Sequence, residues 1–342
     1  GAAQYRVDAA EHKKLVRVVN VVVLIVHAPG GSEPRLLVET GERYPDGRAR
    51  DMVRLPGTKR NPHESTRETA NRILRDMLRF AGAENEVVRF SLGRTFLHEE
   101  EFESPSYPGV MTVYRKRFVS GTVCTSRPDL LEKVGLPGFR EWSAVDDKGY
   151  TKFFSWMPDD EAVRCGVNLG ADRREDVLST LVWVPTGLTE EMLLAQLCKH
   201  GIDMTRFGQG GAISFKDLAA ELINGDAALV EKPSGALVRI VDEVCLHITN
   251  SAGDVLVQRS EVVGQRKTEL NRLPCAMHRP DENHFYTARR LIRKQLAIVD
   301  DCVCLDPTTR VFETECSLPR YPGIPTLRRA RFVKGELRDP PS

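Results

Sequence analysis

RLPGTKRNPHESTRETANRILRDML, Arg54 to Leu78, is the stretch from which the rest of the chain is read. It predicts a short strand end, a turn at Gly57, a polar loop and an amphipathic helix with Ala70, Ile73, Leu74, Met77 and Leu78 on one side. Shifted along the chain by 218 positions, the stretch returns as RLPCAMHRPDENHFYTARRLIRKQL, Arg272 to Leu296, with ten identities over twenty-five positions. Downstream, Tyr107-Pro108-Gly109 with Thr112, Arg115, Arg117, Phe118 and Val119 returns at an offset of 214 as Tyr321-Pro322-Gly323 with Thr326, Arg329, Arg331, Phe332 and Val333. Two landmarks repeating with a small loop difference indicate a duplicated domain.

The chain of 342 residues is long for a single core, which agrees with two domains. A formal charge of +1 gives no global field towards polyanions, so nucleic-acid contact would have to come from local patches. The eight cysteines lack regular spacing and any Cys-x-x-Cys pair, so neither a disulfide framework nor a structural zinc site is expected, and a reducing compartment is. No apolar run approaches bilayer-spanning length, and VVNVVVLIV at 18–26 fits a buried strand. The chain opens on Gly-Ala-Ala, which is compatible with a trimmed organelle presequence.

In order, residues 14–120 are expected to form the first domain core: a hairpin from Leu15, the organising helix, and strands at 87–96 and 111–120 flanking an acidic loop at 98–109. Residues 121–175 look like a loop-rich insertion. Residues 176–232 hold Trp183, Pro185 and two helices, the first starting at Thr189 and ending at Gly201, the second capped by Ser214 and stopped at Gly225. They either complete the first domain or cover the second, which occupies 233–342 and stops soon after its Tyr-Pro-Gly strand. If they do not cover it, exchange with another chain would; a homodimer, or a heterodimer with a paralogue, is expected.

Preceded by Leu-Pro-Gly, ESTRETANRILRDM resembles the Nudix box, a Gly, a spacer, a Glu and a helix carrying Arg-Glu-x-x-x-Glu-Glu. The resemblance implies two Nudix-like α/β/α sandwich domains with a loop-rich and helical insertion between them. In that family helix carboxylates one turn apart hold divalent metals against a pyrophosphate. Glu64 and Arg72 match the box, but Ile73 and Met77 stand where carboxylates are expected, leaving Glu64 and Asp76 as residual metal candidates. In the second copy Glu282 and Arg290 persist, while Leu291, Lys294 and Gln295 replace the acids and Cys275 replaces the Gly. The resemblance therefore implies a pseudoenzyme, with no cofactor.

Basic residues stand in place of the lost acids: six against three acidic at 58–79, five against two at 278–294. The candidate phosphate- or RNA-binding set is Gly57, Lys59, Arg60, Arg72, Arg75, Arg115 and Arg117 in the first copy, and Arg289, Arg290, Arg293, Arg329 and Arg331 in the second. The alternative is a solvated helix face. Trp156 and Trp183 are expected in the core, and His278 and His284 on the surface. Tandem eroded copies rich in Arg look like kinetoplastid mitochondrial RNA-processing proteins, among them the guide-RNA-binding subunits of the RNA-editing machinery. The expected role is binding a nucleoside triphosphate or a 5′-phosphorylated RNA end within a mitochondrial ribonucleoprotein complex, away from membranes. A structural subunit, such as one of a mitochondrial ribosome, and a residual pyrophosphohydrolase are the alternatives.

Overall fold

The computed structural model describes residues 3–8, 14–30, 33–91, 96–103, 106–146, 148–169, 188–263, 266–278 and 282–338. The chain divides into two compact units, Gly1–Tyr5 with Leu15–Leu181, and Arg6–Lys14 with Val182–Ser342.

The elements of the first half are β1 (Ala3–Asp8), β2 (Lys14–His27), β3 (Arg35–Arg43), β4 (Ala49–Arg54), β5 (Gly57–Lys59), α1 (Thr66–Arg72), α2 (Glu84–Val87), β6 (Val88–Phe90), β7 (Phe96–Glu103), β8 (Met111–Val123), α3 (Pro128–Lys133), β9 (Trp142–Val145), β10 (Thr151–Pro158) and α4 (Asp159–Arg164). Among the described residues the ten strands form one sheet with the central order β6-β8-β2-β3-β10-β9. Its axis is the parallel pair β2 and β8, with Arg17 opposite Thr112 and Val22 opposite Arg117.

Alternation along β2 sends successive residues to opposite faces. Val22, Leu24 and Val26 pack with Ala70, Ile73, Leu74, Phe154 and Trp156. Val23 and Ile25 pack with Phe96, Phe118, Ala162 and Val167 on the other. With both faces covered, β2 is the continuous apolar run that its sequence shows. Ser65 and Glu68 form a reciprocal capping box that starts α1, and a π-helical turn, Ile73–Met77, ends it.

The second half holds α5 (Glu190–Lys199), α6 (Phe215–Ile223), β11 (Ala228–Glu231), β12 (Leu237–Thr249), β13 (Gln258–Val263), β14 (Arg266–Arg272), β15 (Cys275–Met277), α7 (His284–Lys294), β16 (Val303–Cys316) and β17 (Thr326–Leu337). Among the described residues its main sheet is β11-β12-β17-β16 with β15 against β12, and β13–β14 form a separate hairpin. β12 and β17 repeat the parallel axis, with Arg239 opposite Thr326. Val244, Leu246 and Ile248 pack on Phe285, Ala288, Leu291 and Ile292 of α7. Leu237 and Val241, on the opposite face, pack with Leu193, Leu197, Leu218 and Leu222 of α5 and α6. Both copies are α/β, with the repeated helix against the same face of the repeated strand.

Thr189 caps α5 through Met192 N, Ser214 caps α6 through Asp217 N, and Gly201 and Gly225 follow the two helices with positive φ, as expected. Several expectations are corrected. Gly57 is not a turn: it opens β5 opposite Val23, where a Cβ would crowd the Val22 carbonyl at 3.1 Å and a Val23 methyl at 3.2 Å. The acidic loop begins as a strand, β7, paired residue by residue with β8. Within 121–175 lie α3, β9, β10 and α4, and β10 pairs with β3 inside the first sheet, so this segment builds the unit instead of interrupting it. Trp156, on β10, is core and donates its ring N–H to the Val134 carbonyl. Trp183 lies outside the described residues. Cys245 and Cys275, opposite each other on β12 and β15, form a disulfide that spacing gave no hint of.

Candidate functional site

The loop before the repeated helix is closed in both units by the same three residues. In the first, Arg72 donates through Nε to Glu64 Oε1 at 2.7 Å and through Nη2 to Glu64 Oε2 at 2.9 Å and to the Lys59 carbonyl at 2.7 Å. Thr69 Oγ1 and the Asn61 amide donate to the same carboxylate, at 3.0 and 3.1 Å. In the second, Arg290 donates through Nε to Glu282 at 2.9 Å, and through Nη2 to Glu282 and to the Met277 carbonyl, both at 2.8 Å. Thr287 Oγ1 donates to Glu282 at 2.9 Å. Glu, Thr and Arg at spacings of five and eight thus form a clasp tying the short strand to the helix. Burial pushes the Glu64 carboxyl up, but Arg72, Asn61 and Thr69 outweigh it and hold it below the usual range.

These clasps redefine the box positions. Both surviving box glutamates are spent on the clasp, and Asp76 is paired with Arg75 at 2.7 Å. Ile73 is 1% exposed and Leu291 0%, both packed in the core, so a carboxylate at either position would be buried among apolar side chains without a partner. Met77 packs against the same core as Ile73, while Lys294 and Gln295 are exposed. Among the described residues the only group with three ligating atoms in mutual reach is Glu243, Cys245 and Cys275, whose two sulfurs are bonded to each other.

The candidate cations fall into distinct places. Arg72 and Arg290 belong to the clasps, and Arg75 is paired with Asp76. Arg115 pairs with Glu99 across β7 and β8 at 2.6 Å. Arg117 reaches Thr66 Oγ1, in the first turn of α1, at 3.3 Å. Gly57 is inside the sheet, Lys59 is exposed and Arg60 half-buried beside it. Arg289, expected on the basic face, is 2% exposed; its Nη1 donates to the Asp300 and Val303 carbonyls, both at 2.8 Å, so it holds the turn after α7. Arg293 is half-buried, its Nε without a hydrogen-bond partner among the described residues.

Arg329 and Arg331 do meet, in a cleft of about 450 Å³ beside the N-terminus of α7 lined also by Asp242, His278, Asn283, His284 and Glu313. Asp242 binds Arg329 at 2.7 and 2.6 Å. Arg331 donates to Thr309 Oγ1 at 3.0 Å and has no carboxylate partner among the described residues. His278 and His284 are half-buried here and not on the surface. Burial lowers both, and the nearby Arg331 charge helps push His284 down to about 4. Reasoning from the sequence missed Asp242 and the histidines as part of a site; two adjacent acids, Asp242 and Glu243, in the middle of a largely apolar strand were the available signal.

A pH dependence follows. The unfolded chain takes up a proton on this histidine near 6.5 and the folded chain only near 4, so stability is complete above 6.5 and is lost as pH falls between those values. At about 1.4 kcal/mol per unit the loss approaches 3 kcal/mol by pH 4. Denaturant titrations at pH 7 and 4.5 are expected to differ less in His284→Phe than in the parent. Equal differences would place the acid sensitivity elsewhere.

Among the described residues no helix is long and apolar enough to cross a membrane. No family model matches the chain, and no curated protein does. Solved structures are similar to parts of it. A Caenorhabditis elegans Ap4A hydrolase in a binary complex is 12% identical over 43% of this chain and 85% of its own, with a TM-score of 0.27. A Nudix hydrolase from Nitrosomonas europaea is 17% identical over 43% and 77%, with a TM-score of 0.26. The Nudix domain of Shewanella oneidensis NrtR, complexed with ADP ribose, is 11% identical over 43% and 76%, with a TM-score of 0.24. At such scores the fold rests on the chain's own repeated strands and helices; two of these three similar structures are described as a Nudix hydrolase and a Nudix domain.

Proposed function

We propose that the protein is a non-catalytic, Nudix-like binder of a nucleoside triphosphate or a 5′-phosphorylated RNA end, acting within a mitochondrial RNA-processing assembly, with the phosphate held in the cleft of the second unit. The observation carrying this reading is Arg331, a half-buried guanidinium without a carboxylate partner among the described residues, facing a cleft at a helix N-terminus. Three carboxylates lining the cleft are matched, Asp242 by Arg329, Glu243 by Arg328 and Glu282 by Arg290, and the fourth, Glu313, stands opposite Arg329 across β16 and β17. The duplication with loss of box acids supports the pseudoenzyme part and the likeness to RNA-processing proteins.

Binding is tested by fluorescence anisotropy with a short RNA bearing a 5′-triphosphate or a 5′-hydroxyl. A charged hydrogen bond of about 1.5–3 kcal/mol predicts that Arg331→Ala weakens the triphosphate RNA more than tenfold, with little change for the hydroxyl RNA. With magnesium or manganese, no turnover of nucleoside polyphosphates above background is expected. Turnover abolished by Glu64→Gln or Asp76→Ala would overturn the pseudoenzyme reading, and equal affinity for the two RNAs would remove the phosphate site.

A further inference from the structure

The two units share a second construction, and among the described residues one copy of it is closed and the other is not. Arg17 and Arg239 are equivalent residues, both buried, each opposite a buried threonine on the parallel neighbour, Thr112 and Thr326. Each guanidinium lies over the tyrosine of the repeated Tyr-Pro-Gly, Arg17 at 4.1 Å from the Tyr107 ring centre and Arg239 at 4.0 Å from that of Tyr321. In the second unit Glu221 of α6 completes the set. It accepts from Arg239 Nε at 2.7 Å and Nη2, and from the Tyr321 hydroxyl at 2.9 Å, while Arg239 Nη1 reaches Thr326 Oγ1 at 3.5 Å. Leu218 and Leu222 flank that glutamate in the core.

Among the described residues the first unit has no such closure. Arg17 Nε, Arg17 Nη1 and Thr112 Oγ1 are buried and have no hydrogen-bond partner among the described residues. Tyr107 is 39% exposed where Tyr321 is 7%. Phe102, which is opposite Thr112 on β7, is exposed as well. A buried guanidinium edge and hydroxyl without partners cost free energy that a ligand would recover.

We propose that the first unit docks an acidic amphipathic helix of another chain at Arg17 and Tyr107, with the Leu-x-x-Glu-Leu pattern that Leu218, Glu221 and Leu222 show on α6. The duplicated site identifies the occupant: the same Arg, Thr and Tyr are filled in the second unit by a carboxylate between two leucines. Charge agrees, since the pocket offers a cation and the helix an anion. Phe102, exposed at the rim, is apolar, as a leucine-bearing helix needs. α6 of the same chain is already engaged, with Leu218 and Leu222 buried on the second unit, so the helix must come from elsewhere.

The test uses the full chain and a fluorescent peptide of residues 213–226, held helical by a hydrocarbon staple between positions 216 and 220, which α6 leaves exposed. Saturable binding is expected, weakened tenfold or more by Glu221→Gln in the peptide and by Arg17→Ala or Tyr107→Ala in the protein. Tyr107 is exposed, so its variant remains informative if Arg17→Ala fails to fold. Arg331→Ala is expected to leave peptide binding unchanged, which separates this site from the phosphate cleft. Absence of saturable binding, or binding indifferent to Arg17, Tyr107 and Glu221, would overturn the proposal. So would an RNA strand whose affinity falls with Tyr107→Ala while the peptide does not bind, since the occupant would then be nucleic acid.

Discussion

Replacing Glu282 by alanine is expected to cost the second unit about 3–5 kcal/mol, the usual consequence of removing one partner of a buried ion pair. The Glu282 side chain is 1% exposed and accepts from both Arg290 and Thr287, so its loss strands a guanidinium and a hydroxyl together. Denaturant titration should show a lower midpoint with unchanged slope. Glu282→Ala combined with Arg290→Met should be less damaging than Glu282→Ala alone, because no charge is then left unpaired. The corresponding Glu64→Ala is expected to cost less, since Glu64 and Arg72 are more exposed than their counterparts. A loss under about 1 kcal/mol from Glu282→Ala would mean that the clasp contributes little and that water replaces it easily.

The second large effect is expected from Glu221→Ala. It leaves the buried Arg239 without its carboxylate and the Tyr321 hydroxyl without its acceptor, and it weakens the seat of α6 on β12. A cost of about 3 kcal/mol or more follows for a pair this buried. Arg17→Leu makes the opposite case: with no carboxylate facing Arg17 among the described residues, removing its charge is expected to be neutral or stabilising in the isolated chain. Thermal unfolding of the two variants side by side checks both. A strongly destabilising Arg17→Leu would show that Arg17 is satisfied in the free protein.

The duplicated frame was legible in the sequence because its signals are local and strong. The apolar run of β2, the capping box at Ser65 and Glu68, and the Thr189 and Ser214 caps each follow from neighbours a few residues apart. Partnership across the fold was not legible. Arg72 and Arg290 read as free cations, but their carboxylates are eight residues back and meet them only once the loop folds over. Arg289 sits beside Arg290 in sequence yet faces the core, because a helix turns adjacent residues about 100° apart. The cysteine pair lies thirty residues apart with no motif, and needs the β12 and β15 pairing to bring it together. Of the two covers expected for the second sheet, residues 176–232 or another chain, α5 and α6 of the same chain supply the first for Leu237 and Val241.

Each unit's central strand pair is parallel, and this sets the order in which the chain can fold. Arg239 faces Thr326 and Thr249 faces Glu336, so β12 has to wait for a segment almost ninety residues downstream before that edge is satisfied. Closing so long a loop comes before any reward from the contacts, which makes collapse onto β12 slow compared with formation of the local β13–β14 hairpin. During that interval the strand carries Val244, Leu246 and Ile248 with one backbone edge open, a template for other chains. Synthesis that stalls before Thr326 would therefore release a species prone to aggregate, whereas passage beyond Leu337 lets the sheet seal itself.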